Sequence, residues 1–149
     1  MFDAEYIIET TDLSKSYGPH VALENLNLKI TKGATGLLGP NGAGKSTFLK
    51  TILGLIQVTS GEGTVLGHDI RTEGAAIRSR IGYMPEYDAL NPDMEAIYQV
   101  KYSGELLGMN PVVAMSRAYE VLQYVGLGEQ RYRNIGGFST GMKQATKLA

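Results

Sequence analysis

Three features of the 149-residue sequence predict an α/β fold. A β-prone, partly alternating stretch over residues 6–30 predicts an antiparallel β subdomain at the amino terminus. Residues 34–55 then run from a short apolar segment through a glycine-rich turn into a helix-period segment, which is typical of a strand–loop–helix unit. From residue 88 two helix-period stretches follow each other with no strand between them, which predicts a helical subdomain.

The composition is that of a globular domain, because 43% of the residues are hydrophobic and only 19% are charged. A formal net charge of -1 and a pI near 6.1 give no general attraction to nucleic acid or anionic lipid. The sequence has no cysteine, which excludes disulfides and thiolate metal sites. No apolar run reaches membrane-spanning length and the start does not resemble a signal peptide, so we expect a cytosolic chain.

The β-rich part is expected to be a hairpin followed by shorter elements. Gly18 and Pro19 form a turn, after which Leu26, Leu28 and Ile30 alternate with polar residues as in a half-buried strand. Residues 34–38 are predicted to form a short buried strand ahead of the glycine-rich turn. Beyond the helix that follows, the pattern predicts a strand at 64–66, a polar helix near 72–80 and a buried strand at 81–85.

The glycine-rich turn matches the phosphate-binding loop pattern Gly-x4-Gly-Lys-Ser/Thr at every fixed position. Its residues are Gly39, Pro40, Asn41, Gly42, Ala43, Gly44, Lys45 and Ser46. The glycines let consecutive amides point at one anion, and the helix that begins here adds its N-terminal partial charge. Lys45 is expected to reach the β- and γ-phosphates, Ser46 to ligate magnesium, and Thr47 to add a hydroxyl. The sequence therefore predicts a nucleoside triphosphate site.

The helical part contains two amphipathic segments. Pro111 fits the first turn of the second segment and Gly126 fits its C-terminal stop. The apolar positions on the two segments are Met94, Ile97, Tyr98 and Tyr102, and then Val113, Ala118, Val121, Leu122 and Val125. Most of these side chains are expected to form an ordinary core. The arginines are expected to form a solvated face, because no aromatic interleaving indicates nucleic-acid binding: they are Arg71, Arg78, Arg80, Arg131 and Arg133.

Four motifs in a fixed order resemble those of the ATP-binding subunit, or nucleotide-binding domain, of an ATP-binding cassette (ABC) transporter. Residues 14–18 resemble the family's aromatic loop, in which Tyr17 would stack on adenine. The phosphate-binding loop comes next. Residues 81–86 resemble the Q-loop, with Glu86 where the family usually has glutamine, so Glu86 would lie beside the magnesium ion. Residues 138–142 resemble the signature motif, in which Ser139, Thr140 and Gly141 would bind ATP held by an opposing subunit.

The resemblance covers the whole chain and implies a P-loop NTPase fold of ABC type. Residues 1–87 would form the nucleotide-binding core, 88–138 the helical subdomain, and 138–149 the signature motif and the start of its helix. The family continues into a strand ending in Asp-Glu, a loop aspartate and a switch histidine, none of which the sequence contains. The chain would thus be truncated after the signature motif, with an incomplete core sheet, no catalytic residue of its own and no ATP hydrolysis alone. We also expect the isolated chain to be at best partly folded, with the strand–loop–helix unit over residues 34–55 mobile and prone to pair with another chain.

The resemblance also implies a function and a set of partners. ATP and Mg²⁺ would be the cofactors, and ATP binding would power export through a transmembrane permease, with no nucleic-acid partner. A second ABC ATPase subunit would complete a homo- or heterodimer on the cytoplasmic face of the membrane. The alternatives are an inactive nucleotide-binding fragment and a soluble ABC-class ATPase acting on ribosomes or DNA, although no long coiled-coil insert or basic arm is present. A P-loop GTPase or kinase is a further alternative, and here no Asn-Lys-x-Asp guanine-binding motif occurs.

Overall fold

The computed structural model describes residues 5–86 and 89–149. The chain divides into two compact units, Met1–Gly82 and Tyr83–Ala149, which we call the first and the second unit. The first unit carries the strands together with two helices, and the second unit is helical. The boundary predicted between residues 87 and 88 lies outside the described residues.

The first unit is built on a four-stranded antiparallel sheet with the order β2-β1-β3-β4. The strands are β1 (Ile8–Tyr17), β2 (His20–Ile30), β3 (Ser60–Val65) and β4 (His68–Asp69). A two-residue turn joins β1 to β2, so that Tyr17 pairs with His20 and Ile8 pairs with Ile30 at the other end. This antiparallel hairpin confirms the expectation from the alternating pattern of residues 6–30.

Helix α1 (Lys45–Ile52) covers the sheet, and the short helix α2 (Gly74–Arg78) packs beside it. Phe48 and Ile52 of α1 are buried in the core, as their helical spacing predicts. The guanidinium of Arg78 donates to the carbonyl oxygens of Leu53 and Gly54 at 3.1 and 3.2 Å, which ties α2 to the end of α1. The core residues of this unit are Leu13, Leu23, Phe48, Ile52, Val65, Ile70 and Ile77.

Two predicted strands, at residues 34–38 and 81–85, are not formed, and both predictions are wrong. Residues 34–40 and 81–85 carry no regular secondary structure. Leu37 and Leu38 are 45% and 92% exposed, although apolar runs of this kind normally become buried on both faces of a sheet. A strand is held by ladder hydrogen bonds to a neighbour, and in the described residues the sheet offers these segments none.

The second unit consists of α3 (Ala96–Leu106), α4 (Pro111–Tyr124) and α5 (Thr140–Leu148), with two 3-10 turns, Gly128–Tyr132 and Ile135–Gly137, before α5. The two helices predicted after residue 88 are therefore confirmed as α3 and α4. The Asn110 side chain caps α4 by accepting from the Val112 amide at 3.0 Å, and Pro111 occupies the first turn. Gly126 follows α4 with φ of 79°, as a C-terminal glycine should.

A single apolar cluster joins these helices. It comprises Ala96, Ile97, Ala118, Leu122, Leu127, Ile135 and Phe138.

Within the described ranges, 5–86 and 89–149, none of the helices combines the length and apolar character needed to cross a membrane.

Arg131 does not belong to a solvated face, and this expectation is wrong for it. The side chain is 2% exposed, and its guanidinium carbon lies 3.8 Å from the centroid of the Tyr119 ring and 5.3 Å from that of Tyr132. Its Nη1 also donates to the Gln123 side-chain oxygen at 3.2 Å. Stacking on two rings offsets part of the cost of removing this cation from water. The other four arginines named above are exposed, as expected.

Candidate phosphate-binding site

The phosphate-binding loop leads directly into α1, and its backbone follows a path that favours glycine. Gly42 and Gly44 have φ of 86° and 83°, in the left-handed region that side chains disfavour. Gly44 is the N-cap residue of α1 and provides no capping side chain, and no acidic residue occupies the first helical turn. The first amides of α1 therefore have neither a cap nor a nearby carboxylate to compete with an anion.

The end of the loop rests directly on β2. A Cβ placed on Gly44 would lie 2.3 Å from the carbonyl oxygen of Ala22 and 3.0 Å from Cδ2 of Leu23. Only glycine allows this approach, because such distances are far shorter than van der Waals contact. Leu23 pairs with Lys15 in β1, and Tyr17 ends the same strand. The sheet thus brings the aromatic-loop residues and the start of α1 to one end of the hairpin.

Lys45 holds the loop in its present shape. Its Nζ donates to the carbonyl oxygens of Gly39 and Pro40, both at 2.7 Å. The Ala43 amide donates to the same Pro40 carbonyl at 3.3 Å and closes a turn. The ammonium therefore sits within the arc of the loop, on neutral acceptors. Phosphate oxygens are charged acceptors and bind an ammonium more strongly than carbonyls do, so a triphosphate can take over these contacts.

All predicted loop residues lie in one continuous stretch at the start of α1. The Ser46 side chain is exposed and Thr47 is half-buried, so the Ser46 hydroxyl is accessible to a metal–phosphate complex. Nowhere in residues 5–86 and 89–149 do three or more His, Cys, Asp or Glu side chains cluster as a metal site. The donor set fits a magnesium ion that is held by phosphate oxygens with one protein hydroxyl, since Mg²⁺ prefers few protein ligands.

Tyr17 is 48% exposed at the carboxyl end of β1. The Nζ of Lys15 lies 4.9 Å from the centroid of its ring, within the range of a cation–π contact. Lys15 was not among the predicted site residues. The Lys-x-Tyr spacing was a usable signal, because residues i and i+2 of a strand lie on the same face.

The signature residues lie in the second unit, at the start of α5. The Ser139 hydroxyl accepts from the Met142 amide at 3.3 Å and caps the helix, while Thr140 and Gly141 are exposed. Glu86 also belongs to the second unit and its side chain is exposed. Lys147 donates to the backbone carbonyl oxygens of Pro85 and Glu86 at 3.1 and 3.5 Å.

The chain is similar in sequence to known proteins over nearly its whole length. A family profile described as ABC transporter matches residues 23–149. The chain is 39% identical over 143 residues to the linearmycin resistance ATP-binding protein LnrL of Bacillus subtilis, covering 95% of this chain and 46% of that protein. It is 33% identical over 144 residues to the Nod factor export ATP-binding protein I of Cupriavidus metallidurans, covering 96% of this chain and 48% of that protein. The chain spans about half the length of the curated relatives it matches.

Solved structures agree on the fold. The structure of cbiO1 from Clostridium perfringens, part of the ABC transporter complex cbiONQ, superposes with a TM-score of 0.81 at 22% identity and covers 97% of this chain and 60% of that one. This likeness confirms the predicted α/β fold of ABC type. Because the family profile covers most of the sequence and the motifs occur in the family's order, the chain belongs to the ABC transporter family of ATP-binding proteins.

Proposed function

We propose that this chain binds Mg²⁺–ATP at residues 39–47, and that binding and hydrolysis of ATP in the longer protein drive transport across a membrane. The observation that carries the proposal is the start of α1 behind Gly44, which no side chain caps, with the Lys45 ammonium held beside it on two loop carbonyls. A cation beside helix amides that no side chain caps is suited to a polyanion rather than to a neutral ligand. Family membership favours ATP as that polyanion.

The roles of the individual side chains follow from the chemistry of the ligand. Lys45 would exchange the Gly39 and Pro40 carbonyls for β- and γ-phosphate oxygens, and the Ser46 hydroxyl would ligate Mg²⁺. Thr47 would add a hydrogen bond to phosphate, and Tyr17 would stack on the adenine ring. Glu86 remains a proposed neighbour of the metal ion. Bound Mg²⁺ would neutralise charge that develops on the phosphates.

We further propose that the protein works as one of two ATP-binding subunits on the cytoplasmic face of a membrane, with a transmembrane permease as its partner. The capped start of α5, with Ser139, Thr140 and Gly141, would contact ATP on the opposing subunit. Export as the direction of transport is supported by the relative whose name describes Nod factor export.

The replacement Lys45→Ala tests the nucleotide site. Titration calorimetry of the chain with Mg²⁺–ATP should show binding that the variant loses by at least about tenfold, because a charge-assisted phosphate contact contributes roughly 1.5–3 kcal/mol. Lys50→Ala is the matched control, since Lys50 is exposed near the end of the same helix and its loss should leave affinity unchanged. Equal ATP affinity in the Lys45→Ala variant and the parent would overturn the assignment.

Residues 1–149 are proposed to lack the group that activates the attacking water. Purified chain should therefore release phosphate from Mg²⁺–ATP no faster than the Lys45→Ala variant does, since phosphoryl transfer to water needs a positioned base. A malachite-green assay over hours is sufficient for the measurement. Release that exceeds the background and disappears in the variant would show that a base exists within these residues.

A further inference from the structure

The inference concerns Lys15 and rests on the proposed binding of ATP, with Tyr17 against the base. Lys15 and Tyr17 are two residues apart on β1, and the Lys15 ammonium lies 4.9 Å from the centroid of the Tyr17 ring. At this distance a cation is attracted to the electron-rich face of the ring. The ring is 48% exposed, so it can accept a second flat group.

The role of Lys15 follows from its contact with the Tyr17 ring. In the part of the chain that the structure describes, Lys15 forms no ion pair with a carboxylate. Lys29 provides the contrast, because its Nζ lies at the same 4.9 Å from the Tyr6 ring but also pairs with Glu9 at 3.0 Å. The half-buried Lys15 side chain is therefore directed at the ring without competition from an acidic group.

The position of Lys15 links this pair to the phosphate-binding loop. Lys15 pairs across the hairpin with Leu23, in a stretch where the register of the two strands shifts. Leu23 Cδ2 is one of the atoms against which Gly44 packs, at 3.0 Å from a Cβ placed there. The Lys15–Tyr17 pair and the start of α1 thus both lie beside the first residues of β2.

We propose that Lys15 is a positioning residue for the adenine base. Its ammonium packs on one face of the Tyr17 ring and holds that ring in one orientation, which leaves the opposite face for adenine. The cation also draws π-electron density toward itself, so the face offered to the electron-rich purine repels it less. Lys15 acts through Tyr17 and does not itself contact the nucleotide.

Calorimetric titration of the full chain with Mg²⁺–ATP tests this role. Lys15→Met keeps an unbranched stem but removes the charge. It should weaken ATP binding by up to about two- to fivefold, because orienting the freed ring on binding costs at most what an exposed cation–π contact contributes. Lys15→Arg, which keeps a cation at this position, should bind ATP as tightly as the parent chain does. Lys29→Met is the matched control, because it removes a cation at the same distance from Tyr6 at the far end of the hairpin, and it should leave affinity unchanged.

Binding of Mg²⁺–tripolyphosphate separates this role from phosphate binding. That ligand has no base, so Lys15→Met should bind it like the parent, and an equal loss for both ligands would overturn the proposal. In a Tyr17→Ala background Lys15→Met should have no further effect on ATP affinity. If Tyr17→Ala weakens ATP binding and Lys15→Met does not, the inference fails while the proposed function stands. If Lys45→Ala has no effect, the proposed function itself fails.

A fluorescence measurement reports ring orientation independently of affinity. The sequence has no tryptophan, so Tyr17→Trp introduces a single indole at the stacking position. ATP should quench its emission at saturation, and adding Lys15→Met should reduce that quenching. Unchanged quenching at saturation would overturn the positioning role. Lys15→Gln gives the same comparison if the Lys15→Met variant does not fold.

Discussion

Gly44→Ala is expected to lower the free energy of unfolding of the first unit by about 2–5 kcal/mol, with loss of ATP binding. Two costs add: a residue with a side chain in the left-handed region costs about 1–2 kcal/mol, and forcing a methyl group into a filled site costs about 1–3 kcal/mol. The added Cβ would lie 2.3 Å from the Ala22 carbonyl oxygen, which is backbone of β2 and cannot move alone. Relief requires α1 to shift, and its amides then no longer converge on the phosphates.

Gly42→Ala separates the two costs. Gly42 has nearly the same φ, 86° against 83°, but no atom lies within 4 Å of a Cβ placed on it. This variant should therefore show only the backbone cost, about 1–2 kcal/mol. Urea unfolding followed by hydrogen exchange of the α1 amides measures both variants in the first unit. Equal destabilisation by Gly44→Ala and Gly42→Ala would mean that the close contact between Gly44 and β2 contributes nothing to the effect.

Arg131→Ala should have the second large effect, a loss of about 2–5 kcal/mol in the stability of the second unit. The long stem is buried, and truncation of a long buried side chain leaves a cavity of that cost. The change also removes the cation stacked on Tyr119 and leaves the Gln123 side-chain oxygen without its donor. Both losses loosen the packing of α4 against the turn that carries Arg131.

Comparing Arg131→Met with Arg131→Ala separates the packing of the side-chain stem from the effect of the charge. Methionine fills much of the same volume but carries no charge, and the Arg131 Nε has no hydrogen-bond partner among the described residues. Burying an incompletely paired cation is costly, so this variant should be at least about 1 kcal/mol more stable than Arg131→Ala. Thermal unfolding by circular dichroism measures the difference. Equal stability of the two variants would show that packing of the stem contributes little.

Features that depend only on residues close to one another in the sequence were predictable from the sequence. The Asn110 and Ser139 side chains each accept from a backbone amide two or three residues away, and Pro111 fits the first turn because no hydrogen bond is required of its nitrogen there. The phosphate-binding loop is also local, because its glycines, Lys45 and the start of α1 lie within eight consecutive residues, 39–46. The period of apolar residues was sufficient for the hairpin and for α3 and α4 for the same reason.

The remaining features depended on groups distant in the sequence, and only the tertiary structure decided them. Residues 34–38 have the composition of a buried strand, but a strand exists only where another supplies the ladder, and their neighbours are not among the described strands. Arg131 is buried because its guanidinium stacks on the ring of Tyr119, which lies twelve residues earlier in the sequence. The need for glycine at position 44 likewise comes partly from Ala22, on a strand that the sequence alone does not place against the loop. Sequence patterns therefore determined the groups available at the nucleotide site, and packing across the sheet decided which of them meet.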